Sequence, residues 1–173
     1  PDIVVQLESK DVIFRSNAMV VLSDILYQMG PEYLSEEQKD AVISILVSEK
    51  VGGAMRARAI ELLGLLGKKS AKALAMVRDG LFDPSPAIQS DSVIAIRRLD
   101  YSSTETLSRL VWLGRNDTGV RREAIRTLGK VFPENAEARK AILQSLEDED
   151  MGVRNTAVHA LGEAAGKCPE CFE

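Results

Sequence analysis

The 173 residues predict an all-α chain wound as an α-α superhelix, a solenoid of about five helical hairpins. Two observations lead there. A short pattern recurs at near-constant spacing along the whole chain, and within each copy the apolar residues keep a helical period rather than a strand period. The composition agrees: 45% hydrophobic, 28% charged and only 5% aromatic suits ordered helices built on Ala, Leu and Val, and does not suit a disordered chain.

The pattern is an apolar residue, Arg, two free positions, a small residue, three free positions, then Leu or Ile. It reads Phe14-Arg15, Ala18, Leu22, then Met55-Arg56, Ala59, Leu63, then Ile88-Gln89, Ser92, Ile96. It returns as Val120-Arg121, Ala124, Leu128 and as Val153-Arg154, Ala157, Leu161. The small residues lie 41, 33, 32 and 33 positions apart, and Gly64, Gly129 and Gly162 follow the Leu in three copies. Apolar and small side chains at i, i+4 and i+8 form one stripe of a helix, and the small central residue lets a neighbouring helix come close.

Each unit pairs this helix with an amphipathic one before it. Unit one, 1–30, sets a helix over 2–9 against one over 12–28 across Lys10-Asp11. Unit two, 31–69, has helices over 35–49 and 54–67 around Lys50-Val51-Gly52-Gly53. Its first helix opens on Ser35 with Gln38, a capping signature, and carries the stripe Ala41, Val42, Ile45, Leu46. Unit three, 70–102, has helices over 70–81 and 87–99 around Asp83-Pro84-Ser85-Pro86. Unit four, 103–135, has helices over 104–114 and 119–131, with Ser102 and Glu105 as the capping pair and Asn116-Asp117-Thr118-Gly119 as the turn. Unit five, 136–173, has helices over 137–147 and 152–166, opens on Asn135 and turns at Glu149-Asp150-Met151-Gly152. The turns carry Gly, Pro, Asp or Asn, which bend the chain and cap the next helix. One hairpin cannot enclose a core, so the units must stack side by side.

Composition also bounds function. No stretch reaches the roughly 20 uncharged apolar residues a membrane span needs. A net charge of −4 disfavours a general nucleic-acid coat. One histidine cannot supply a multi-histidine metal centre, and two cysteines make no disulfide scaffold, which points to an intracellular (cytoplasmic or nuclear) protein. The chain opens at Pro1-Asp2 without Met and reads as part of something longer. Helix 2–9, with Ile3, Val4, Val5 and Leu7, and helix 12–28, with Met19, Val20, Val21, Leu22, Ile25 and Leu26, are apolar enough for a further repeat to cover them.

These units resemble HEAT repeats. The fullest copy runs from Leu146 through Asp148, Asp150, Val153, Arg154 and Ala157 to Leu161-Gly162, similar to the family string L-x-D-x-D-x-x-V-R-x-x-A-x-x-x-L-G. The fourth copy keeps Asp117, Val120, Arg121, Ala124 and Leu128-Gly129. The third has Gln89 for Arg and Arg97 for Gly; the second has Gly52-Gly53 in place of an acidic turn. The period near 33 is that of the compact HEAT-like subgroup. The Thr-Pro-Leu-His signature of ankyrin repeats and the Trp, Leu-Gly, Tyr spacing of tetratricopeptide repeats are absent.

The resemblance implies a structural ladder of Asp11, Arg15, Arg56, Asp117, Arg121, Asp150 and Arg154, in which turn carboxylates cap helices and arginines tie turns together. It also places the second helices on the concave face. Those helices carry ten basic against five acidic residues, leaving twelve against twenty-one for the rest of the chain. Arg58, Arg97, Arg98, Arg122, Arg126 and Lys130 are therefore the candidate basic groove. The expected function is a non-enzymatic scaffold that uses this groove to bind an acidic or helical protein segment, with no cofactor. Phosphate-backbone binding by the same groove is the alternative, as is an accessory enzyme resembling the bilin lyases. A catalytic reading lacks parts: His159 stands alone, and the His-Glu pairs of HEAT-like di-iron hydroxylases do not occur. Cys168-Pro169-Glu170-Cys171 offers at most half a zinc site, with Cys168 and Cys171 as weak candidate ligands. Trp112, between Val111 and Leu113, is expected to pack between repeats.

Overall fold

A computed structural model describes residues 3–48, 55–67, 70–114, 117–131 and 133–169. The turn at 50–53, Asn116 and Cys171 lie outside the described residues. Within them the order is α1 (Ile3–Leu7), α2 (Val12–Met29), α3 (Glu36–Leu46), α4 (Met55–Leu66) and α5 (Ala71–Gly80). Then come α6 (Pro86–Leu99), α7 (Thr104–Leu113), α8 (Thr118–Val131), α9 (Ala136–Gln144) and α10 (Met151–Lys167). The even-numbered helices are the second helices of the five units. α2, α4, α6, α8 and α10 pack in succession into one layer, and the odd-numbered helices lie against it as the other.

The ends of the elements follow local chemistry. Ser35 and Gln38 form a complete capping box at α3: the Ser35 hydroxyl accepts from Gln38 N–H, and the Gln38 side chain accepts from Ser35 N–H. At α7 the cap is Ser103 rather than Ser102, because the Ser103 hydroxyl is the one that accepts from Thr106 N–H, at 3.1 Å. Asn135 caps α9 by accepting from Glu137 and Ala138 N–H. α9 stops at Gln144 and tightens into a 3-10 turn over Ser145–Glu147, short of the expected 147. α1 is likewise shorter than 2–9. At the end of α2, Gly30 takes φ of 78°, a left-handed backbone that only glycine adopts without strain, and releases the chain toward α3.

The core is a continuous apolar seam between the layers, running from Leu7, Met19 and Leu22 through Leu46, Ile60, Leu63, Val77, Ile96, Leu110 and Leu128 to Ala157 and Ala160. The seam has no single centre; each unit buries its stripe partly on its own hairpin and partly on the next. The five central small residues are all buried: Ala18, Ala59, Ser92, Ala124 and Ala157. Along the second-helix layer, neighbours touch in a fixed register. A methyl added at Gly64 of α4 would lie 2.9 Å from the Cα of Ala95 on α6, and one added at Gly129 of α8 would lie 2.6 Å from the carbonyl oxygen of Ala160 on α10. Between them, Thr127 of α8 sits against α6, within 3.4 Å of an Arg97 guanidinium nitrogen. Gly162 holds the same register as Gly64 and Gly129, but a methyl there would meet nothing within 4 Å. For Gly64 and Gly129, close helix approach explains the glycine; at Gly162 no helix of the described residues approaches.

Candidate interaction site on the second-helix face

The turns set the geometry of the site. In unit three the Asp83 carboxylate accepts from Ser85 N–H at 2.9 Å, while the Asp83 carbonyl accepts from the Gln89 side chain at 2.7 Å. Unit five repeats the arrangement: the Asp148 carboxylate accepts from Asp150 N–H at 2.9 Å, and its carbonyl accepts from Arg154 at 2.7 Å. Each of these aspartates also receives the arginine of the preceding unit. Arg121 reaches Asp148 at 2.9 Å, and Arg56 lies 3.8 Å from Asp83. One residue thus holds its own turn and the one before it. Gln89 keeps the carbonyl bond of the Arg it replaces, so the third copy loses charge but not the contact.

Asp11, Asp117 and Asp150 cap the helices of their own units. Asp11 accepts from Ile13 N–H at 2.8 Å and Phe14 N–H at 3.1 Å, and Asp150 accepts from Val153 N–H at 2.9 Å, where the helix dipole also favours negative charge. Asp117 accepts from Gly119 N–H at 2.9 Å. Arg15 donates to the Ser9 carbonyl at 3.4 Å. Spacing pointed to Asp11, Asp117 and Asp150, four residues before the arginines; among the described residues Asp83 and Asp148 are aspartates that accept across units, and Glu149 joins Asp148 on Arg121 at 3.5 Å. The signal that could have found the two aspartates is register, since both stand nine residues before the central small residue of their unit.

The candidate groove residues separate into two groups. Arg97 belongs to the α6–α8 contact: it pairs with Glu123 at 2.7 Å, and both side chains are largely buried. The others face outward. Arg58 pairs with Glu61 one helical turn away, and Arg126 pairs with Glu123 at 3.0 Å. In these two pairs the base stands above the acid: the Arg58 side chain is 40% exposed over Glu61 at 19%, and Arg126 is 48% exposed over Glu123 at 16%. Arg122 is exposed and lies across Gly152 at the start of α10. Lys130 lies apart, on a groove of about 550 Å³ between the α6–α7 and α8–α9 connections, lined also by Asp100, Ser103, Asn135 and Lys167.

Tyr27 is the residue that spacing gave no means of finding. Its hydroxyl donates to Glu61 at 3.0 Å and accepts from Arg98 at 2.8 Å, and the Arg98 guanidinium lies 5.1 Å from the ring centre. Arg98 is on α6 and Tyr27 on α2, with α4 between them. Packed helices stand about 8–10 Å apart, so two side chains meet across an intervening helix only where the layer bends toward them. The second-helix face is concave here. Beneath this bridge Asp91 is held above the usual carboxylate range, first by burial and then by the Glu61 charge, with Arg58 and Arg98 opposing.

On the odd-numbered layer, Trp112 is 50% exposed rather than packed between repeats. Its ring lies 3.8 Å from the Arg109 guanidinium, which also lies 4.6 Å from Phe82 and donates to the Leu81 carbonyl at 2.9 Å. The cation sandwiched between two rings gives the indole its partner and leaves its far face to solvent. His159 is exposed on α10. Cys168 is buried at the C-terminal cap of α10 and disulfide-bonded, so it carries no thiolate for a metal. Among the described residues no group of three His, Cys, Asp or Glu side chains could hold a metal ion, and no helix is long and apolar enough to cross a membrane.

Fold and turn chemistry together define an armadillo/HEAT-type repeat solenoid. Residues 108–169, within units four and five, match the family model for HEAT repeats. The chain is similar in structure to a computationally designed armadillo repeat protein for modular peptide recognition, with a TM-score of 0.62 and 18% identity over 93% of this chain and 80% of that one. It is also similar to an engineered protein, with a TM-score of 0.64 and 18% identity over 98% of this chain and 83% of that one. No curated protein matches its sequence.

Proposed function

We propose that the protein is a non-enzymatic interaction scaffold that binds an acidic segment of another protein along its second-helix face. The observation that carries this is the layering of charge. Glu61 and Glu123 sit below their arginines, so at the centre of the layer a ligand meets guanidinium from Arg58 and Arg126, with Arg98 and Arg122 exposed beside them, while Asp24 and Glu163 are exposed on the outer helices α2 and α10. A trough with pre-positioned, half-desolvated arginines suits carboxylates along an extended or helical peptide, because Arg can hold a carboxylate through two parallel hydrogen bonds. Tyr27 adds an amphipathic ring, 55% exposed, at one end of the row. The peptide recognition stated for the designed armadillo protein supports the same choice of ligand.

The test is fluorescence anisotropy with a labelled amphipathic peptide of alternating Glu and Leu turns, with a DNA duplex of equal charge as competitor. The expected result is saturable peptide binding with an apolar component that survives high salt, weakened about tenfold or more by Arg122→Glu with Arg126→Glu, a loss of about 1.4 kcal/mol or more. Equal binding by that double variant would overturn the proposal. Binding of the duplex alone, with an affinity falling about 0.9 log unit per contacted phosphate for each log unit of salt, would move the function to nucleic acid.

A further inference from the structure

Arg109 on α7 is held in place without meeting a carboxylate. Its Nε donates to the Leu81 carbonyl at 2.9 Å, and its guanidinium lies over the Phe82 ring at 4.6 Å and over the Trp112 ring at 3.8 Å. Glu105, one helical turn earlier on the same side of α7, is drawn instead to Arg78 of α5, at 3.5 Å. Among the described residues nothing accepts from the two terminal nitrogens of Arg109, Nη1 and Nη2, and neither is sealed from water. Burial pulls the Arg109 pKa below its usual value, and no neighbouring acid counters that effect. The side chain is thus a partly desolvated cation, oriented by one backbone bond and two rings, with one donor edge left open. Phe82 and Trp112 are themselves 52% and 50% exposed.

We infer that Phe82, Arg109 and Trp112 form a second binding site, on the odd-numbered layer, for a carboxylate flanked by apolar residues in a partner polypeptide. The geometry selects that ligand. A planar guanidinium whose Nε is occupied presents Nη1 and Nη2 as two parallel donors, which match the two oxygens of a carboxylate. The exposed parts of the two rings suit aliphatic side chains on either side of the acid. One uncommitted positive charge balances one carboxylate. A phosphate dianion would keep a charge uncompensated, because Arg78 is already paired with Glu105. The site lies within units three and four, whose neighbouring units on both sides are part of this chain, so stacking of a further repeat does not cover it. It is also separate from Arg58, Arg98, Arg122 and Arg126 on the even-numbered helices, and it stands whether or not that groove binds a ligand.

Trp112 is the only tryptophan in the sequence, so its fluorescence reports on this site directly. The 173-residue protein is titrated with acetyl-Leu-Glu-Leu-amide, with its Gln counterpart and with its phosphoserine counterpart. The Glu peptide is expected to change the emission saturably with a Kd of about 1 mM or tighter, and the other two to bind about tenfold more weakly or worse. Arg109→Lys keeps the charge but loses the paired donors, and should weaken the Glu peptide by about tenfold or more, with helicity checked by circular dichroism. The comparison of Glu with Gln needs no variant and decides the matter even if that one folds poorly. Arg122→Glu with Arg126→Glu, in the groove, should leave the titration unchanged. No saturable response to the Glu peptide, or an equal response to the Gln peptide, would overturn the inference and leave Arg109 as a tie between α7 and the α5–α6 turn. Tighter binding of the phosphoserine peptide would overturn the carboxylate assignment, and loss of the response in the groove variant would overturn the separation of the two sites.

Discussion

Gly129 has room for a hydrogen and nothing larger, because α8 and α10 touch through it: a methyl there would fall 2.6 Å from the Ala160 carbonyl oxygen and 2.8 Å from its Cβ. Relief would require moving helix backbone rather than a flexible side chain. Gly129→Val is therefore expected to lower unfolding free energy by about 1–3 kcal/mol in urea titration. Gly162→Ala, in the same register but with open space, is expected to raise it by as much as about 1 kcal/mol, since alanine stiffens the unfolded chain and favours helix. Equal effects at the two sites would refute the inter-helix register. Asp91 makes a prediction of opposite character. Its carboxyl is held above its usual range in the folded protein, so the folded state binds the proton more readily than the unfolded chain does. Stability from that proton is complete below the unfolded value of 3.8 and is lost as pH rises through the folded one. Asp91→Asn should therefore stabilise the protein at pH 7, with the advantage fading toward acid. A variant less stable at pH 7 would show that the attraction of the charged form to Arg58 and Arg98 outweighs burial.

Turns join the helix contacts in fixing how one element sits on the next. Asp148 ties its own backbone to Asp150 and Arg154 and its carboxylate to Arg121 of the unit before. The Arg121 and Asp148 side chains are 12% and 15% exposed, so their pairing is only weakly screened by water. A double-mutant cycle on Arg121→Met and Asp148→Asn is expected to give a coupling energy of about 1–3 kcal/mol by denaturant unfolding; a value near zero would make the pair incidental. Asp150→Ala, which removes only the cap of α10, is expected to cost about 1 kcal/mol. Most of this level was legible beforehand. The helices fall within a few residues of the stretches 12–28, 70–81, 87–99, 104–114, 119–131 and 152–166, because apolar spacing and Gly, Pro and Asp at the turns are local signals. The shift of the α7 cap from Ser102 to Ser103 and the early end of α9 were not, since either neighbouring serine can cap and the last helical turn can tighten at little cost.

Across the molecule, the curvature of the second-helix layer brings Tyr27 to Arg98 over α4. That bridge is exposed, so Tyr27→Ala should change stability by less than about 1 kcal/mol. It should nevertheless open the trough, which small-angle scattering would register as a larger radius of gyration. An unchanged radius would mean that helix packing alone sets the bend. The same curvature decides which arginines can serve a ligand. Arg97 and Arg98 are adjacent in sequence, yet helical rotation turns Arg97 into the α6–α8 contact with Glu123 and Thr127 and leaves Arg98 facing outward. Glu61 and Glu123 were foreseeable as partners of Arg58 and Arg126, because three residues is one turn of helix.

The recurrence of Arg, a small residue and Leu at a period near 33 was enough to dictate hairpins, their number and their stacking, because those follow from which side chains a helix must hide and from turn residues adjacent in the chain. The acceptors of the ladder, the depth of each acid beneath its arginine and the exposure of Trp112 were settled only when the hairpins packed. Those properties depend on residues from 26 to 71 positions apart, such as Arg97 with Glu123 and Tyr27 with Arg98, and no local spacing specifies how far one helix rotates and bends against the next.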